Sequence, residues 1–315
     1  MRYREIKQLN KRLSHICFGT LTMGPLCADL PVEQGAALIR RAIDAGITHF
    51  DTAQQYINYQ YLSAALTPQD DTIIISTKSY ADTYDEMARA VEEARLAFRR
   101  NALDIFLMHE LRPDDAFAER AEGWEYLKTA KSNGIVRMIG ISTHHVDVVR
   151  EAAARDDVDV IHAMLNAEGV GIRGGSRDEM MAALQEAHDK GKLIYGMKAI
   201  GGGSLMSRAE TSLKWAFSQE YLDAVAIGIK SEAELLTNIA WEEGRVADRT
   251  GEIPLQDRNM VFDKEPACHR CGACVARCHQ QALQLGEDGV EWDKSKCLYC
   301  GYCIAACPWF CISFC

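Results

Sequence analysis

The sequence contains no apolar run that approaches the roughly 20 residues of a membrane-spanning helix. Nor does it have an excess of positive charge. Lys and Arg number 35 against 45 Asp and Glu, for a net charge of −10. It therefore lacks the basic face of a nucleic-acid binder and the polybasic patch that holds a protein to an anionic membrane. The first residues, MRYREIKQLNKRLSH, are charged and carry no apolar signal-peptide core. These absences predict a cytoplasmic protein with neither a nucleic-acid nor a membrane partner. Cysteine is almost missing before residue 268, where only Cys17 and Cys27 occur; the other ten crowd between Cys268 and Cys315. Disulfide frameworks belong to small secreted domains, and a 315-residue chain expected to be cytoplasmic fits neither description, so the crowding points to metal.

What is present before the cysteines is an alternation. Apolar, β-rich runs stand at 15–19, 47–50, 72–77, 103–108, 136–142, 158–165, 193–197 and 223–228. Between them lie segments such as EQGAALIRRAIDAG, YDEMARAVEEARLAF and RDEMMAALQEAHDKG, with apolar residues at helical spacing. Gly46, Gly134 and Gly191 fall just past such helices, where a left-handed glycine closes the last turn. Eight strand–helix units predict an α/β fold, a closed (β/α)8 TIM barrel over residues 1–245, with residues 1–14 as a hairpin or plug at its N-terminal end. The competing architecture, an open doubly wound sheet, wants a GxGxxG after its first strand. Neither GIRGGS (171–176) nor GGGS (201–204) has that spacing.

Barrel chemistry sits where the strands end. The ends of strands two, three and four read FDTAQQY, STKS and LMHE, which brings Asp51, Tyr56, Lys78 and His109 to one mouth. A phenol titrates near pH 10, and a nearby ammonium lowers that value. Lys78, held by Asp51, would tune Tyr56 as a proton donor to a carbonyl oxygen, and His109 would orient the same oxygen. Taken singly, each has a bland alternative: a structural histidine, a solvated lysine, or a tyrosine among the neighbouring Tyr59 and Tyr61.

FDTAQQY, with Asp51 and Tyr56 five apart, Lys78 in STKS and His109 in LMHE resemble the catalytic tetrad of the aldo-keto reductase family. The resemblance runs over about residues 1–245 and implies an NAD(P)H-using (β/α)8 oxidoreductase. It further implies cofactor contacts from Gly19 and Thr20 in FGTLTMG, Asp51, Ser142 in IGIS, and His162 where the family often has Gln. GIKSEAELLTN resembles the adenosine-phosphate site, carried by Gly228, Lys230, Ser231 and Asn238. Two positions depart from the pattern. Met197, with Lys198 beside it, stands where many members stack a Tyr on the nicotinamide. Glu234 stands where several members have an Arg for the NADP 2′-phosphate. The choice of NADP or NAD thus stays open, with Lys230 as a compensating cation.

The tail contains the same spacing twice. Cys268, Cys271, Cys274 and Cys278 form C-x2-C-x2-C-x3-C; Cys297, Cys300, Cys303 and Cys307 repeat it, followed by Pro308. Two CxxC pairs would suffice for zinc. The doubled run is similar to bacterial dicluster ferredoxins, which implies two [4Fe–4S] clusters over residues 263–315. In that pattern the fourth Cys of each run ligates the other cluster. One cluster would take Cys268, Cys271, Cys274 and Cys307, the other Cys297, Cys300, Cys303 and Cys278. His279 stands where Pro is usual after the first run. Cys311 reads as packing.

Residues 246–262 read as a linker passing over the barrel mouth, with the ferredoxin-like domain packed beside it. The leading expectation is an iron–sulfur oxidoreductase of aldo-keto reductase type. It would reduce a carbonyl or related small molecule with NAD(P)H, with electrons passed through the clusters, or with both, an external ferredoxin or other carrier being the partner. The alternatives are a plain NAD(P)H hydride-transfer reductase with structural or redox-sensing clusters, and a non-catalytic redox-responsive binding protein. Hydride moves two electrons and each cluster one, which leaves room for a flavin that no motif supports.

Overall fold

The computed structural model describes residues 1–67, 70–113, 117–248, 259–263 and 267–314. The chain opens with an antiparallel hairpin, β1 (Tyr3–Ile6) and β2 (Lys11–Ser14). Eight parallel strands follow: β3 (Ile16–Gly19), β4 (His49–Asp51), β5 (Ile74–Ser79), β6 (Leu103–Met108), β7 (Val136–Thr143), β8 (Val160–Met164), β9 (Leu193–Met197) and β10 (Ala224–Gly228). They close into a barrel, β10 pairing with both β9 and β3. Interior side chains fill one side and helices cover the other, so β5 and β6 are buried at every position. This is why they read as continuous apolar runs rather than alternating ones.

The helices α1 (Val32–Asp44), α2 (Tyr59–Ala65), α3 (Tyr84–Phe98), α4 (Ala121–Ser132), α5 (Val146–Ala154), α6 (Arg177–Asp189), α7 (Ala209–Phe217) and α8 (Glu232–Glu242) alternate with the strands. Their ends are written locally. Thr83 and Glu86 form a capping box on α3, as do Ser176 and Glu179 on α6. Gly46, Gly134 and Gly191 follow α1, α4 and α6 with φ of +94°, +71° and +83°, as the sequence predicts. The hairpin closes the N-terminal end of the barrel, where Ile6, Leu9 and Leu13 pack on Cys17, Ile74, Ile105 and Tyr195.

The tail folds around two short antiparallel pairs. β11 (Met260–Phe262) pairs with β14 (Ile312–Phe314), and β12 (Leu283–Leu285) with β13 (Val290–Trp292). Two single-turn helices, α9 (Ala273–Arg277) and α10 (Tyr302–Ala306), each follow a glycine at φ +75°, Gly272 and Gly301. The last residues of the expected linker thus fold with the tail, while 249–258 and Cys315 lie outside the described residues.

The tail lies on the C-terminal mouth of the barrel. Met164 at the end of β8 shares an apolar cluster with Ile304, Phe310 and Phe314, and Met197 packs against it. The approach depends on three glycines. A Cβ on Gly171 or Gly202 would come within 2.6 or 2.7 Å of the Phe310 ring, and one on Gly203 within 2.5 Å of Phe314. The glycine-rich loops that lacked a nucleotide-binding spacing serve here as the seat of the tail.

Candidate active site

The four tetrad residues meet at the mouth. Asp51 ends β4, Tyr56 lies in the 3-10 turn Gln54–Tyr56 that follows, Lys78 is in β5, and His109 comes directly after β6. Lys78 Nζ donates to Asp51 Oδ1 at 2.5 Å and to the Thr52 carbonyl at 2.8 Å. Tyr195 Oη donates to Asp51 Oδ2 at 3.0 Å. Burial alone would raise the Asp51 carboxyl; the Lys78 ammonium overrides this and holds it below the usual range. The Lys78 ammonium lies 5.0 Å from the centroid of the Tyr56 ring. Tyr56 and His109 meet edge to face at 5.8 Å.

Two details differ from the expected tuning. Lys78 spends its charge on Asp51, and burial, with Asp51 and Glu110 adding, pushes the Tyr56 phenol well above its ordinary value. Tyr56 is thus held protonated as an acid. Burial also drives His109 well below the ordinary histidine range, so it is a neutral imidazole. Its Nδ1 is buried without a partner.

Several contributors carried no motif. Tyr80 stacks on His109 at 4.3 Å and donates its hydroxyl to Glu110 Oε2 at 2.7 Å. Tyr195 stacks on His162 at 3.9 Å and meets His49 edge to face at 5.0 Å. Burial holds His49 and His162 neutral, at about 3 and about 4. Tyr80 and Tyr195 lie two residues after Lys78 and two before Met197, so strand alternation was the available signal. His144, after β7, is buried 3.8 Å from Glu110 Oε1.

The expected cofactor contacts are dispersed, and many already have partners. Gly19 and Gly228 are paired in register, and Thr20 Oγ1 donates to the Asp51 carbonyl at 3.1 Å. Ser142 Oγ accepts from the Glu110 amide at 2.8 Å, and His162 Nδ1 lies 3.0 Å from the Tyr195 carbonyl. Ser231 caps α8 by accepting from the Glu234 amide at 3.2 Å; Glu234 in turn accepts from the Lys230 amide at 3.0 Å, and Asn238 is buried in α8. Met197 and Lys198 lie under the tail: the Lys198 ammonium stands 4.1 Å over the Phe310 ring. The cysteine-lined part of the tail thereby reaches the tetrad's neighbourhood through the turn Cys307–Phe310.

The eight cysteines gather in two cavities. One is lined by Cys268, Cys271, Cys274 and Cys307, the other by Cys278, Cys297, Cys300 and Cys303. Each cavity takes three thiols from one run and the fourth from the other. Backbone amides point at the sulfurs: Cys311 N to Cys307 Sγ and Ala282 N to Cys278 Sγ, both at 3.3 Å, and Tyr299 N to Cys297 Sγ at 3.4 Å. Such donors tune the potential of cluster-bound thiolates, and four thiols at each cavity fit the ligand set of a [4Fe–4S] cluster. Cys311, in contrast, donates its thiol to the Ala267 carbonyl at 3.0 Å and is buried.

Comparison with known proteins agrees with this arrangement. Residues 15–211 match the aldo/keto reductase family, and residues 259–308 match a 4Fe-4S dicluster domain. Methylglyoxal reductase DkgA of Yersinia pestis is 25% identical over 118 residues, 36% of this chain and 42% of that protein. The NAD/NADP-dependent indole-3-acetaldehyde reductase of Schizosaccharomyces pombe is 27% identical over 121 residues, 36% of this chain and 41% of that protein. The match thus spans about two fifths of these relatives. In structure, an aldo-keto reductase from Bacillus halodurans superposes with a TM-score of 0.62 at 19% identity, covering 77% of this chain and 91% of that one. At that identity the likeness speaks for the barrel fold. No helix among the described residues is long and apolar enough to cross a membrane. Barrel, tetrad and paired thiol cavities converge on one conclusion: the chain belongs to the aldo/keto reductase family and bears a C-terminal 4Fe-4S dicluster domain.

Proposed function

We propose that this protein is a cytoplasmic oxidoreductase that reduces a carbonyl or related small molecule at Tyr56, with electrons entering through the dicluster tail. The observation that carries the reading is the seating of the Cys307–Phe310 turn in the barrel mouth, with Phe310 against Lys198 and His144. Tyr56 gives its proton to the oxygen of the substrate, and neutral His109 donates a hydrogen bond to that oxygen. Lys78 and Asp51, locked together, keep the pocket wall rigid and fix the field at the phenol. Reduction of a carbonyl takes two electrons and two protons; Tyr56 provides one proton and solvent the other. Two clusters, when bound, supply electrons singly, one each, drawn from an external carrier of the ferredoxin class.

A second reading has NADP or NAD supply hydride, with the clusters as a clasp or sensor. The relatives' names favour it, and so does the exposed Gly228 beside the first turn of α8. Against it, the expected nicotinamide platform, Met197 and Lys198, is covered by Phe310 and its neighbours. The test is anaerobic. Protein with reduced clusters is mixed with small aldehydes, ketones and oxo acids, and cluster oxidation is followed by EPR beside product formation. The proposal expects both to appear together, and Tyr56→Phe to abolish product by about 100-fold or more while leaving the cluster spectra intact. Turnover with NADPH or NADH while the clusters stay silent would transfer the case to the second reading. Product formation unaffected by Tyr56→Phe would remove Tyr56 from the chemistry.

A further inference from the structure

Where tail and barrel meet, buried donors outnumber acceptors. Arg173, in the loop after β8, has Nε and Nη2 buried without a hydrogen-bond partner, and its guanidinium lies 5.2 Å from the Trp309 ring. Lys198, just past β9, rests on Phe310 and forms no ion pair among the described residues. His144 is only 6% exposed, its Nδ1 also lacks a hydrogen bond, and its ring meets Phe310 edge to face at 6.1 Å. The Arg173 amide donates to the His144 carbonyl at 2.9 Å, which ties the two loops together. Glu110 and Asp263 are the carboxylates whose fields reach Lys198. Glu110 is already engaged by the Tyr80 hydroxyl at 2.7 Å and by Arg112 at 3.3 Å. Neither Glu110 nor Asp263 fills the Nε–Nη2 edge of Arg173.

A buried guanidinium edge with two open donors is costly unless an acceptor fills it. The Nε–Nη2 edge matches the two oxygens of a carboxylate side by side. The site is next to the chemistry: Glu110 connects His144 to Tyr80, and Tyr80 stacks on His109. Glu110, Lys198 and Phe310 all hold positive φ, +47°, +58° and +55°, and such strain collects at functional sites. We propose that Arg173, Lys198 and His144 form a carboxylate-recognition subsite, and that the molecule reduced at Tyr56 is an oxo acid whose carboxylate lies within a few bonds of the reacting carbon. This rests on the reading of Tyr56 as the reducing site, and it adds the substrate class.

Binding, measured apart from turnover, tests it. The anaerobic, cluster-loaded protein is titrated calorimetrically with pyruvate, 2-oxobutyrate, phenylpyruvate and acetoacetate, with their methyl esters, and with NADP+ and inorganic phosphate. At least one acid should bind about 30-fold or more tighter than its ester, because a buried charged partner is satisfied only by the acid. Arg173→Gln should erase that preference, Arg173→Lys should restore part of it, and Lys198→Met should weaken it independently. EPR of each variant reports whether clusters and tail remain in place. Equal binding of acid and ester, or no binding of any acid, overturns the subsite. Arg173-dependent binding of NADP+ or phosphate without binding of the acids overturns it too, by assigning the donors to a cofactor phosphate. Arg173-dependent binding of an acid that is never reduced would keep the subsite and reject the proposed activity. Reduction that needs Tyr56 but ignores Arg173 would do the reverse.

Discussion

Lys78→Met should unfold the protein's own logic at the mouth. Lys78 is 1% exposed and Asp51 4%, and their 2.5 Å contact is the ion pair at the centre of the site. Removing the ammonium leaves a buried carboxylate with the Tyr195 hydroxyl as its remaining side-chain donor. Breaking one side of such a pair costs about 3–5 kcal/mol, whereas replacing both partners by neutral groups is often close to neutral. Lys78→Met should therefore lower the melting temperature by on the order of 10 °C, and Asp51→Asn added to it should restore most of the loss. The coupling between the two sites should be at least about 2 kcal/mol. The pH dependence has a definite sign. In the native protein the Asp51 carboxyl lies below its unfolded value, so its contribution is present at neutral pH and lost as pH falls through the folded value. In Lys78→Met the buried carboxyl rises above the unfolded value, so its penalty is greatest at high pH and shrinks as acid protonates it. Anaerobic melting of the native protein, both single variants and the double variant at pH 8 and pH 5.5 measures the whole cycle. A single-variant loss under about 1 kcal/mol, or a double variant as unstable as the sum of the singles, refutes the argument.

Three further outcomes follow from the same structure. Cys268→Ser with Cys307→Ser should remove about four of eight irons, since both thiols serve one cavity; loss of all eight would mean that each run holds its own cluster. His49 and His162 are kept neutral at about 3 and about 4, so between pH 7.5 and 5.5 the unfolded chain takes up protons that the native one refuses. Stability should fall by roughly 3 kcal/mol from these two alone, and His49→Gln should flatten the mean slope over this range by about half a proton; denaturant titrations in which the slope is unchanged contradict this. Gly202→Val should force Phe310 from its seat, because even a Cβ comes within 2.7 Å of the ring, and limited proteolysis should then cut the tail first; a tail as resistant as the native one would show that the seat is not needed.

The barrel was legible because parallel strands buried on both sides read as solid apolar runs, and because left-handed glycines mark helix ends within a few residues. The tetrad residues were legible because strand ends converge in any such barrel. The crossed grouping of the thiols was implied by the resemblance of the doubled run to dicluster ferredoxins, and the two cavities group the thiols in that way. What escaped was what depends on distant partners. Tyr195 looks like a core aromatic until Asp51 is placed beneath its hydroxyl, and Arg173 looks like a solvated loop cation until Trp309 covers it. Lys78 was expected to lower the phenol of Tyr56, but its proximity to Asp51 sends that charge elsewhere. Met197 and Lys198 were expected beneath a nicotinamide, and only the docking of the tail shows Phe310 over them.

The crossed thiol sets bear on how such a chain is made. Neither cavity is complete until the second cysteine run has been made and folded back on the first, since Cys307 joins Cys268, Cys271 and Cys274 while Cys278 joins Cys297, Cys300 and Cys303. The mouth gains Phe310 at the same moment. Until the tail docks, Met164 and the glycine seat lie uncovered at the mouth of the barrel. Phe310 and Phe314 close on Gly171, Gly202 and Gly203, so a side chain gained at any of these loop positions has to be answered by a smaller residue in the tail.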